Sequence, residues 1–186
     1  MKELQLDFSN FPVLHTERLD LVQLTMEDAE DLHVLRANAN LMRYIPRKKS
    51  DSVEDAIKLI EQSFELLKTG EFITWALKLK GEKRLIGTFG FYRIQKENHR
   101  GEVGYLLHSD FHGKGIADEA LKCVLKFGFE KIGFHSIEAV TDPKNISSRK
   151  LLEKNNFIQE GNFKENCYFE GQYLDSVVYS LLRDKK

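Results

Sequence analysis

The sequence has few of the residues that build disulfide frameworks or metal clusters. Its 186 residues include two cysteines, Cys123 and Cys167, which lie far apart and in no Cys-x-x-Cys pattern. That spacing favours two reduced thiols over a disulfide framework or a zinc site. The histidines are also scattered without the short spacing of metal ligands. We therefore predict no metal site.

Long apolar runs and an excess of charge of one sign are also missing. No run approaches the roughly 18 apolar residues of a membrane span, and Lys2, Glu3 and Asp7 interrupt the apolar core that a signal peptide needs. Lys and Arg total 28 against 29 for Asp and Glu, so no overall field attracts nucleic acid or an anionic membrane. We expect a cytoplasmic protein, monomeric or homodimeric, without a nucleic-acid or membrane partner.

The composition is that of one globular domain. Hydrophobic residues make up 41% of the chain and charged residues 31%, and this length fits one domain at about 150 residues per domain. A chain of this size buries about 70% of the surface that its unfolded form exposes. We therefore treat residues 1–186 as a single domain with its own core.

Hydrophobic periodicity predicts alternating helices and strands. Four segments have helical spacing: from Thr25 to Ala39, from Ser50–Ser52 to Gly70, 116–132, and 145–156. Seven segments have the pattern of strands: 17–24, 72–79, 85–93, 101–107, 136–140, 157–167 and 173–182. This order predicts a mixed sheet.

A glycine-rich segment, His112-Gly113-Lys114-Gly115-Ile116-Ala117, joins a predicted strand to a predicted helix. Glycine lets the backbone approach a ligand closely, and the first turn of a helix offers unpaired N–H groups at the positive end of its dipole. A pyrophosphate is the natural occupant of such a loop. The segment is neither a Walker A loop nor the Gly-x-Gly-x-x-Gly of a dinucleotide fold. The alternative is a tight turn that needs glycine for a positive φ.

A second motif follows after one further strand, where Asn145 and Ser148 precede a helix that ends Glu153-Lys154-Asn155-Asn156-Phe157. Together the two segments resemble the GCN5-related N-acetyltransferase (GNAT) superfamily, in the branch with the ribosomal-protein N-terminal acetyltransferases. The family's loop is Gln/Arg-x-x-Gly-x-Gly/Ala, which Gly115 and Ala117 match while His112 stands at the Gln/Arg position. Its second signature is Asn-x-x-Ser and a helix ending Glu-Lys-x-Gly-Phe, in which Asn156 replaces the glycine. Asparagine can take the left-handed conformation needed there.

The resemblance extends from Thr16-Glu17-Arg18-Leu19 to the terminal strands, and it implies both a fold and an activity. The implied fold is a single α/β domain with a mixed, mostly antiparallel twisted sheet and helices on both faces. The implied activity is direct transfer of the acetyl group of acetyl-CoA to a primary amine in a ternary complex. The acceptor would be a protein N-terminus or a small-molecule amine, with acetyl-CoA as cosubstrate and no metal.

The resemblance also places the acetyl-CoA site. The strand that ends at Leu106 and Leu107 is expected to separate from its neighbour and to offer backbone groups to the pantetheine arm and the thioester carbonyl, an oxyanion-type contribution. The predicted cofactor-binding residues are Leu106, Leu107, His112, Gly113, Lys114, Gly115, Ile116, Ala117, Asn145 and Ser148.

The reaction needs a base for the amine and an acid for the leaving thiolate. A free aliphatic amine is mostly protonated at neutral pH, and Glu102 is the candidate base because strand alternation places it on the face of Leu106. Many superfamily members use a helical tyrosine as acid, but Leu152 stands at that position, so the resemblance assigns the role to Ser148. The alternatives are a solvent-facing glutamate and a serine that only organises the helix start, with Asn145 as its N-cap.

Three alternatives stay open from the sequence. The glycine loop is compatible with a non-catalytic acyl-CoA-binding module. The basic run Arg47-Lys48-Lys49 is either a solvated loop or a patch that steers an acidic substrate. The aromatic residues Phe72, Tyr105 and Phe169 belong either to the core or to the lining of an acceptor pocket.

Overall fold

A computed structural model describes residues 3–183 as one mixed sheet flanked by helices. The strands in this part of the chain are β1 (Leu14–His15), β2 (Leu19–Gln23), β3 (Ile73–Leu79), β4 (Leu85–Gln95), β5 (Arg100–Leu107), β6 (Ser136–Thr141), β7 (Ile158–Phe169) and β8 (Gln172–Leu182). The α-helices are α1 (Ala29–Ala37), α2 (Ala39–Met42), α3 (Val53–Thr69), α4 (Ile116–Phe127) and α5 (Ile146–Lys154). The strands are ordered β1-β2-β3-β4-β5-β6-β8-β7 across the sheet.

The sheet has an opening near its middle, between β5 and β6. These two strands are parallel, whereas every other neighbouring pair is antiparallel. Their pairing covers Arg100–Glu102 against Ser136–Glu138 and stops there, although β5 continues to Leu107 and β6 to Thr141. The strands therefore separate beyond Glu102, as the resemblance implied.

Helices cover both faces of the sheet and create two hydrophobic cores. On the back face, which carries α4 and α5, the core includes the fully buried side chains of Trp75, Phe89 and Phe134. On the front face, which carries α1, α2 and α3, a second core includes Leu35 and Ile60. Each such side chain contributes roughly 1.5–3 kcal/mol on burial. The predicted α/β fold with helices on both faces is confirmed.

Capping residues set the ends of the long helices. Ser52 precedes α3 with an extended backbone, and Gly70 ends it with a φ of 68°. Asn145 precedes α5, and its side chain accepts a hydrogen bond from the Ser148 N–H. Asn156 follows α5 with a φ of 64°, so it takes the left-handed conformation expected of the family's glycine.

The first predicted helix is divided into shorter pieces. A 3-10 turn at Met26–Asp28 leads into α1, and the Asn38 side chain then accepts from the N–H groups of Asn40 and Leu41 to start α2. Asparagine competes with the helical backbone for such bonds and favours a cap over a helix interior. The short β1 strand lies outside the predicted strands because two residues carry no periodic signal.

The helix predicted to reach Ile132 ends as an α-helix at Phe127. A π-helical turn, Gly128–Ile132, continues it. Gly128 lies against the sheet so closely that a Cβ there would be 2.6 Å from Phe91 Cζ. The change of helix type therefore falls where the backbone packs tightly against core side chains, a tertiary contact that periodicity does not report.

Candidate active site

The glycine-rich segment forms a loop of unpaired backbone donors before α4. Gly113 and Gly115 have φ angles of 71° and 75°, and a Cβ on Gly113 would have no atom within 4 Å. Within residues 3–183, no N–H group of residues 113–118 makes a hydrogen bond of ordinary geometry. Any helix start leaves donors such as those of residues 116–118 unpaired, and the turn before α4 adds the N–H groups of residues 113–115 to them. Donors at the positive end of a helix dipole fit the pyrophosphate of acetyl-CoA.

A side-chain clamp from the start of the chain holds this loop. The carboxylate of Glu119, on the first turn of α4, accepts from Thr16 Oγ1 at 2.5 Å and from the Arg18 backbone N–H at 2.8 Å. Arg18 Nε also donates to Glu119 at 2.6 Å, and Arg18 Nη1 donates to the Lys114 carbonyl at 3.0 Å. Burial alone would raise the pKa of Glu119, but these hydrogen bonds outweigh burial and lower that pKa. The clamp thus ties the loop to β2.

The backbone of β5 turns specific groups toward the opening. The His108 N–H donates to the Ile86 carbonyl, and hydrogen-bonded pairs recur at every second residue of an antiparallel ladder. Leu106, which lies opposite Thr88, therefore bonds to β4. The backbone groups of Tyr105 and Leu107 point to the other side, where β6 has separated. Tyr105 and Leu107, rather than Leu106, thus present backbone groups to the opening.

The other loop residues contribute in different ways. His112 Nε2 donates to the Leu107 carbonyl at 2.9 Å, so this side chain holds the loop against the end of β5. Ile116 is buried in the back core, which leaves only its backbone for a ligand. The Lys114 ammonium lies 5.9 Å from the Phe111 ring centroid, and this keeps a positive charge beside the donors.

Ser148 meets a tyrosine that comes from the sheet. Its hydroxyl lies 2.8 Å from the Tyr105 hydroxyl, while Asn145 caps the helix through the Ser148 N–H at 3.2 Å. Asn145 is therefore the N-cap, and the Ser148 hydroxyl does not cap α5. Leu152, at the position of the family's helical tyrosine, is fully buried in the back core.

The Tyr105 hydroxyl has the Ser148 hydroxyl as its hydrogen-bond partner. Tyr105 stacks on Phe89 with ring centroids 5.0 Å apart, and within residues 3–183 its hydroxyl has no partner other than Ser148. Burial raises the pKa of Tyr105 to about 12 although the Ser148 hydrogen bond lowers it. Tyr105 therefore stays protonated near neutral pH and needs an acceptor. If its proton points to Ser148, the Ser148 proton is free to point elsewhere.

Glu102 lies on the front face at the last residue where β5 still pairs with β6. Its side chain is 16% exposed, and Oε2 lies 3.3 Å from Arg93 Nη1. Burial raises the pKa of Glu102, the nearby Arg93 guanidinium lowers it, and the Glu138 carboxylate raises it further. The net shift is upward, toward the range in which a carboxylate works well as a base.

The structure thus brings the predicted residues to one region. The glycine loop and Ser148 lie at the back of the opening between β5 and β6, and Glu102 lies at its front. The Arg18–Glu119 clamp was not predicted from the sequence, because the residues Thr16-Glu17-Arg18 give no indication that they contact α4. From the sequence, Tyr105 was expected either in the core or in the lining of an acceptor pocket. Phe169 is at the turn between β7 and β8, outside this region.

No metal site or membrane-crossing helix is found in the part of the chain that the structure describes. Among residues 3–183, no three His, Cys, Asp or Glu side chains come close enough to hold a metal ion. No helix in that range combines the length and apolar character needed to cross a bilayer.

A family model described as "Acetyltransferase (GNAT) domain" matches residues 18–158. The chain therefore belongs to the GNAT acetyltransferase family, and the resemblance first seen in the two motifs is confirmed. Its glycine loop, the Arg18–Glu119 part of the clamp and the sheet opening lie inside the matched range.

Known proteins agree with this assignment. An uncharacterized N-acetyltransferase of Bacillus subtilis, YoaA, is 33% identical over 95% of this chain and 99% of its own length. A ribosomal-protein-S5-alanine acetyltransferase structure from Vibrio fischeri is 26% identical, with a TM-score of 0.82, and covers 93% of this chain and 97% of that chain. RimL, a ribosomal L7/L12 alpha-N-protein acetyltransferase solved with coenzyme A, shares the fold at 20% identity and a TM-score of 0.84, over 92% of this chain and 98% of its own.

The family and the fold define the class of activity. The protein is an acetyl-CoA-dependent N-acetyltransferase. This conclusion decides against the non-catalytic acyl-CoA-binding module, and it leaves the acceptor amine and the roles of individual residues to be assigned.

Proposed function

We propose that the protein acetylates a primary amine by direct attack on acetyl-CoA in a ternary complex, with Glu102 as base and Ser148 as acid. One observation carries the proposal: the opening between β5 and β6 has unpaired backbone donors at one end, a buried carboxylate on its front side and an ordered hydroxyl on its back side. A pantetheine arm in that opening could reach groups on both faces of the sheet.

The residues of the loop would hold acetyl-CoA. The N–H groups of residues 113–118 would bind the pyrophosphate, with Lys114 adding positive charge and His112 fixing the loop to Leu107. The backbone groups of Tyr105 and Leu107 would bind the pantetheine arm and polarise the thioester carbonyl. Asn145 supports this arrangement indirectly, because it caps the helix that carries Ser148.

The proton transfers balance across the reaction. Glu102 takes a proton from the bound ammonium, directly or through a water, and passes it to solvent. The neutral amine then attacks the thioester carbonyl carbon, the nitrogen of the tetrahedral intermediate gives its extra proton to Glu102, and the C–S bond breaks. The Ser148 hydroxyl donates its proton to the departing thiolate. Glu102 then releases its proton to solvent, and Ser148 regains one from solvent. The products are the amide and the free thiol of CoA.

The acceptor is a protein N-terminus or a small-molecule amine. Both present a primary amine that a single carboxylate can deprotonate, and the near-neutral net charge gives no broad attraction to an RNA-rich surface. We place the activity in the cytoplasm, with one domain over residues 1–186.

Release of the CoA thiol, followed with a panel of small amines and N-terminal peptides, tests the proposal. The expected result is thiol release that requires an amine and equals the amount of acetylated amine found by mass spectrometry. Thiol release that does not depend on the amine, or through an acetylated enzyme intermediate, would contradict direct attack. Tight acetyl-CoA binding without transfer to any amine would contradict the proposed function.

A further inference from the structure

The basic run Arg47-Lys48-Lys49 separates into two parts in the folded chain. Lys48 pairs with Asp51 at 2.9 Å on an exposed part of the loop. Arg47 is also exposed, but its guanidinium carbon lies 5.8 Å from the centroid of the Tyr92 ring. The run is therefore neither a uniform solvated loop nor a uniform basic patch.

A second guanidinium from α1 joins Arg47. Arg36 lies in the last turn of that helix, and its Nη2 donates to the Lys48 carbonyl at 3.1 Å. Its Nε is buried and has no hydrogen-bond partner within residues 3–183. Burial lowers the pKa of Arg36, and the positive charge of Arg47 lowers it further. Because the Lys48 carbonyl that Arg36 binds directly follows Arg47 in the chain, the two arginines are neighbours in the fold.

The charge of this pair is only partly balanced within residues 3–183: Arg47 is near enough to lower the pKa of the Glu102 carboxylate, but the two groups do not form an ion pair. None of the carboxylates in residues 3–183 forms an ion pair with Arg36 or Arg47, and the acid on the facing strand, Glu102, lies against Arg93. A buried donor without a partner costs about 1–3 kcal/mol, and like charges brought together add to that cost. An anionic ligand between the two guanidinium groups would remove both penalties.

The arginine pair lies beside the candidate base. Tyr92, which Arg47 covers, is the cross-strand partner of Glu102, and both side chains belong to the front face. A Cβ at Gly104 would lie 2.9 Å from the Tyr92 ring, so this ring fills the space between Arg47 and the part of β5 that lines the opening. One small molecule or one chain terminus could therefore reach Glu102 and the arginines at once.

We propose that Arg36 and Arg47 form an anion-binding subsite of the acceptor site, so that the acceptor is an amine with a carboxylate or phosphate group near its amino group. The inference rests on the proposed function, since it assumes that the amine meets Glu102. It disfavours polyamines, because their additional ammonium groups would face two guanidinium groups. It favours amino acids, aminoalkyl phosphates and peptides with an acidic residue at the N-terminus.

Matched acceptors separate these classes. The measured quantity is kcat/KM from thiol release. Aspartate and glutamate would each be compared with the neutral diamide, and phosphoethanolamine with ethanolamine. Spermidine would be measured alongside all of them. We expect at least about a tenfold preference for the anionic member of a pair, the size of one charge-assisted hydrogen bond. The carboxylate and phosphate pairs show which anion is preferred. Equal rates within both pairs, or a preference for spermidine, would overturn the subsite.

Variants assign the preference to the two arginines. Arg47→Gln, at an exposed position, and Arg36→Gln should raise the KM of the anionic acceptor about tenfold with little change for its neutral partner. Arg36→Lys, which keeps the charge, serves if Arg36→Gln fails to fold. Lys49→Gln makes the same charge change two residues from Arg47 and should leave the preference intact. A preference that survives Arg47→Gln, or falls equally in Lys49→Gln, would overturn the assignment.

A binding measurement separates this inference from the proposed function. N-acetylaspartate and N-acetylasparagine amide would be added to the protein with CoA, and thermal stabilisation measured. Stabilisation by the anionic compound alone, lost in Arg47→Gln, would support the subsite even if no amine were acetylated. Equal stabilisation by both compounds, or by neither, would count against the subsite even in an active enzyme.

Discussion

The proposed acetyl-CoA side and the proposed acceptor side of this site are formed by different kinds of chemical group. The acetyl-CoA side uses backbone groups: N–H donors in residues 113–118 and the groups of β5 that face the opening, all within one continuous stretch of chain. The acceptor side uses side chains from separate elements, with Glu102 on β5, Arg36 on α1 and Arg47 on the loop before α3. A binding site made of backbone groups, here called the backbone cradle, requires only glycines and the start of a helix. A site made of side chains can change with single substitutions. This difference suits a family that keeps one cosubstrate and varies the acceptor.

The largest expected loss comes from the acceptor side. Glu102→Gln keeps the shape and removes the charge, so we expect the rate to fall by about 10² to 10⁴, with acetyl-CoA affinity unchanged. Because burial raises the pKa of Glu102 and a base must be ionised, the wild-type rate should fall as pH drops through that raised value, above the usual range near 4.3. The pH dependence of kcat/KM checks this.

Glu138→Gln is the matched control for Glu102→Gln. Glu138 lies opposite Glu102 on β6 and pairs with Arg100 at 2.7 Å. Since its charge raises the pKa of Glu102, its removal should move the acidic limb to lower pH without removing it. The same limb and a comparable rate in Glu102→Gln would mean that the amine loses its proton to solvent before binding.

The next largest loss is expected at Ser148, where the two sides meet. Ser148→Ala should lower kcat by about 10², because the thiolate loses its proton donor, while acetyl-CoA affinity changes only modestly. Single-turnover rates and acetyl-CoA titration check the two parts separately. Ser147→Ala makes the same change at the exposed neighbouring position and should be silent. A near-normal rate in Ser148→Ala would remove Ser148 from the mechanism.

The backbone cradle is tested by adding a side chain to it. Acetyl-CoA at 100 times its dissociation constant should stabilise the wild type by about 2.7 kcal/mol. Gly115→Val should weaken affinity by at least about tenfold, because a branched side chain enters the space beside the unpaired donors and strains a φ of 75°. Thermal shift with and without acetyl-CoA gives the readout.

Gly81→Val separates strain from lost binding. Gly81, in the turn between β3 and β4, has a φ of 78° and no atom within 4 Å of an added Cβ. Its substitution should lower stability by a similar amount yet keep the full acetyl-CoA shift. A full shift in Gly115→Val would mean that the loop is only a tight turn.

The same division explains what could be predicted from the sequence. Some features depend only on neighbouring residues and were therefore predictable. The glycines that precede an apolar helix in residues 112–117 predicted the loop of backbone donors. The capping residues in 145–157 predicted the N-cap at Asn145 and the left-handed Asn156. The opening was predictable only through the family resemblance, because strand pairing is a long-range property.

Contacts between distant segments could not be predicted. Thr16 and Arg18 meet Glu119 across about a hundred positions of the chain. Arg36 meets the Lys48 carbonyl, beside Arg47, because the loop before α3 folds back onto α1. Tyr105 lies on a largely apolar strand, so its residue type gave no indication that its hydroxyl contacts Ser148. In each case the residue type is ordinary and the partner is fixed only by the tertiary fold.

The smallest effect should come from Tyr105, which we propose acts through Ser148 as a positioning residue. Tyr105→Phe removes a hydroxyl whose partner within residues 3–183 is Ser148, so the Ser148 proton becomes free to point away from the thiolate. We expect kcat to fall about three- to tenfold, the size of one neutral hydrogen bond. Because the pKa of Tyr105 is about 12, the pH profile near neutrality should keep its shape.

A double-mutant cycle measures whether Tyr105 works through Ser148. In the Ser148→Ala background, Tyr105→Phe should cause no further loss of kcat, since the hydroxyl it positions is already absent. Independent losses that add would instead place Tyr105 in packing of the back core, beside Phe89. Melting temperatures of all four proteins distinguish such a packing defect, because a lost ring contact would lower stability whereas a lost proton orientation lowers only the rate.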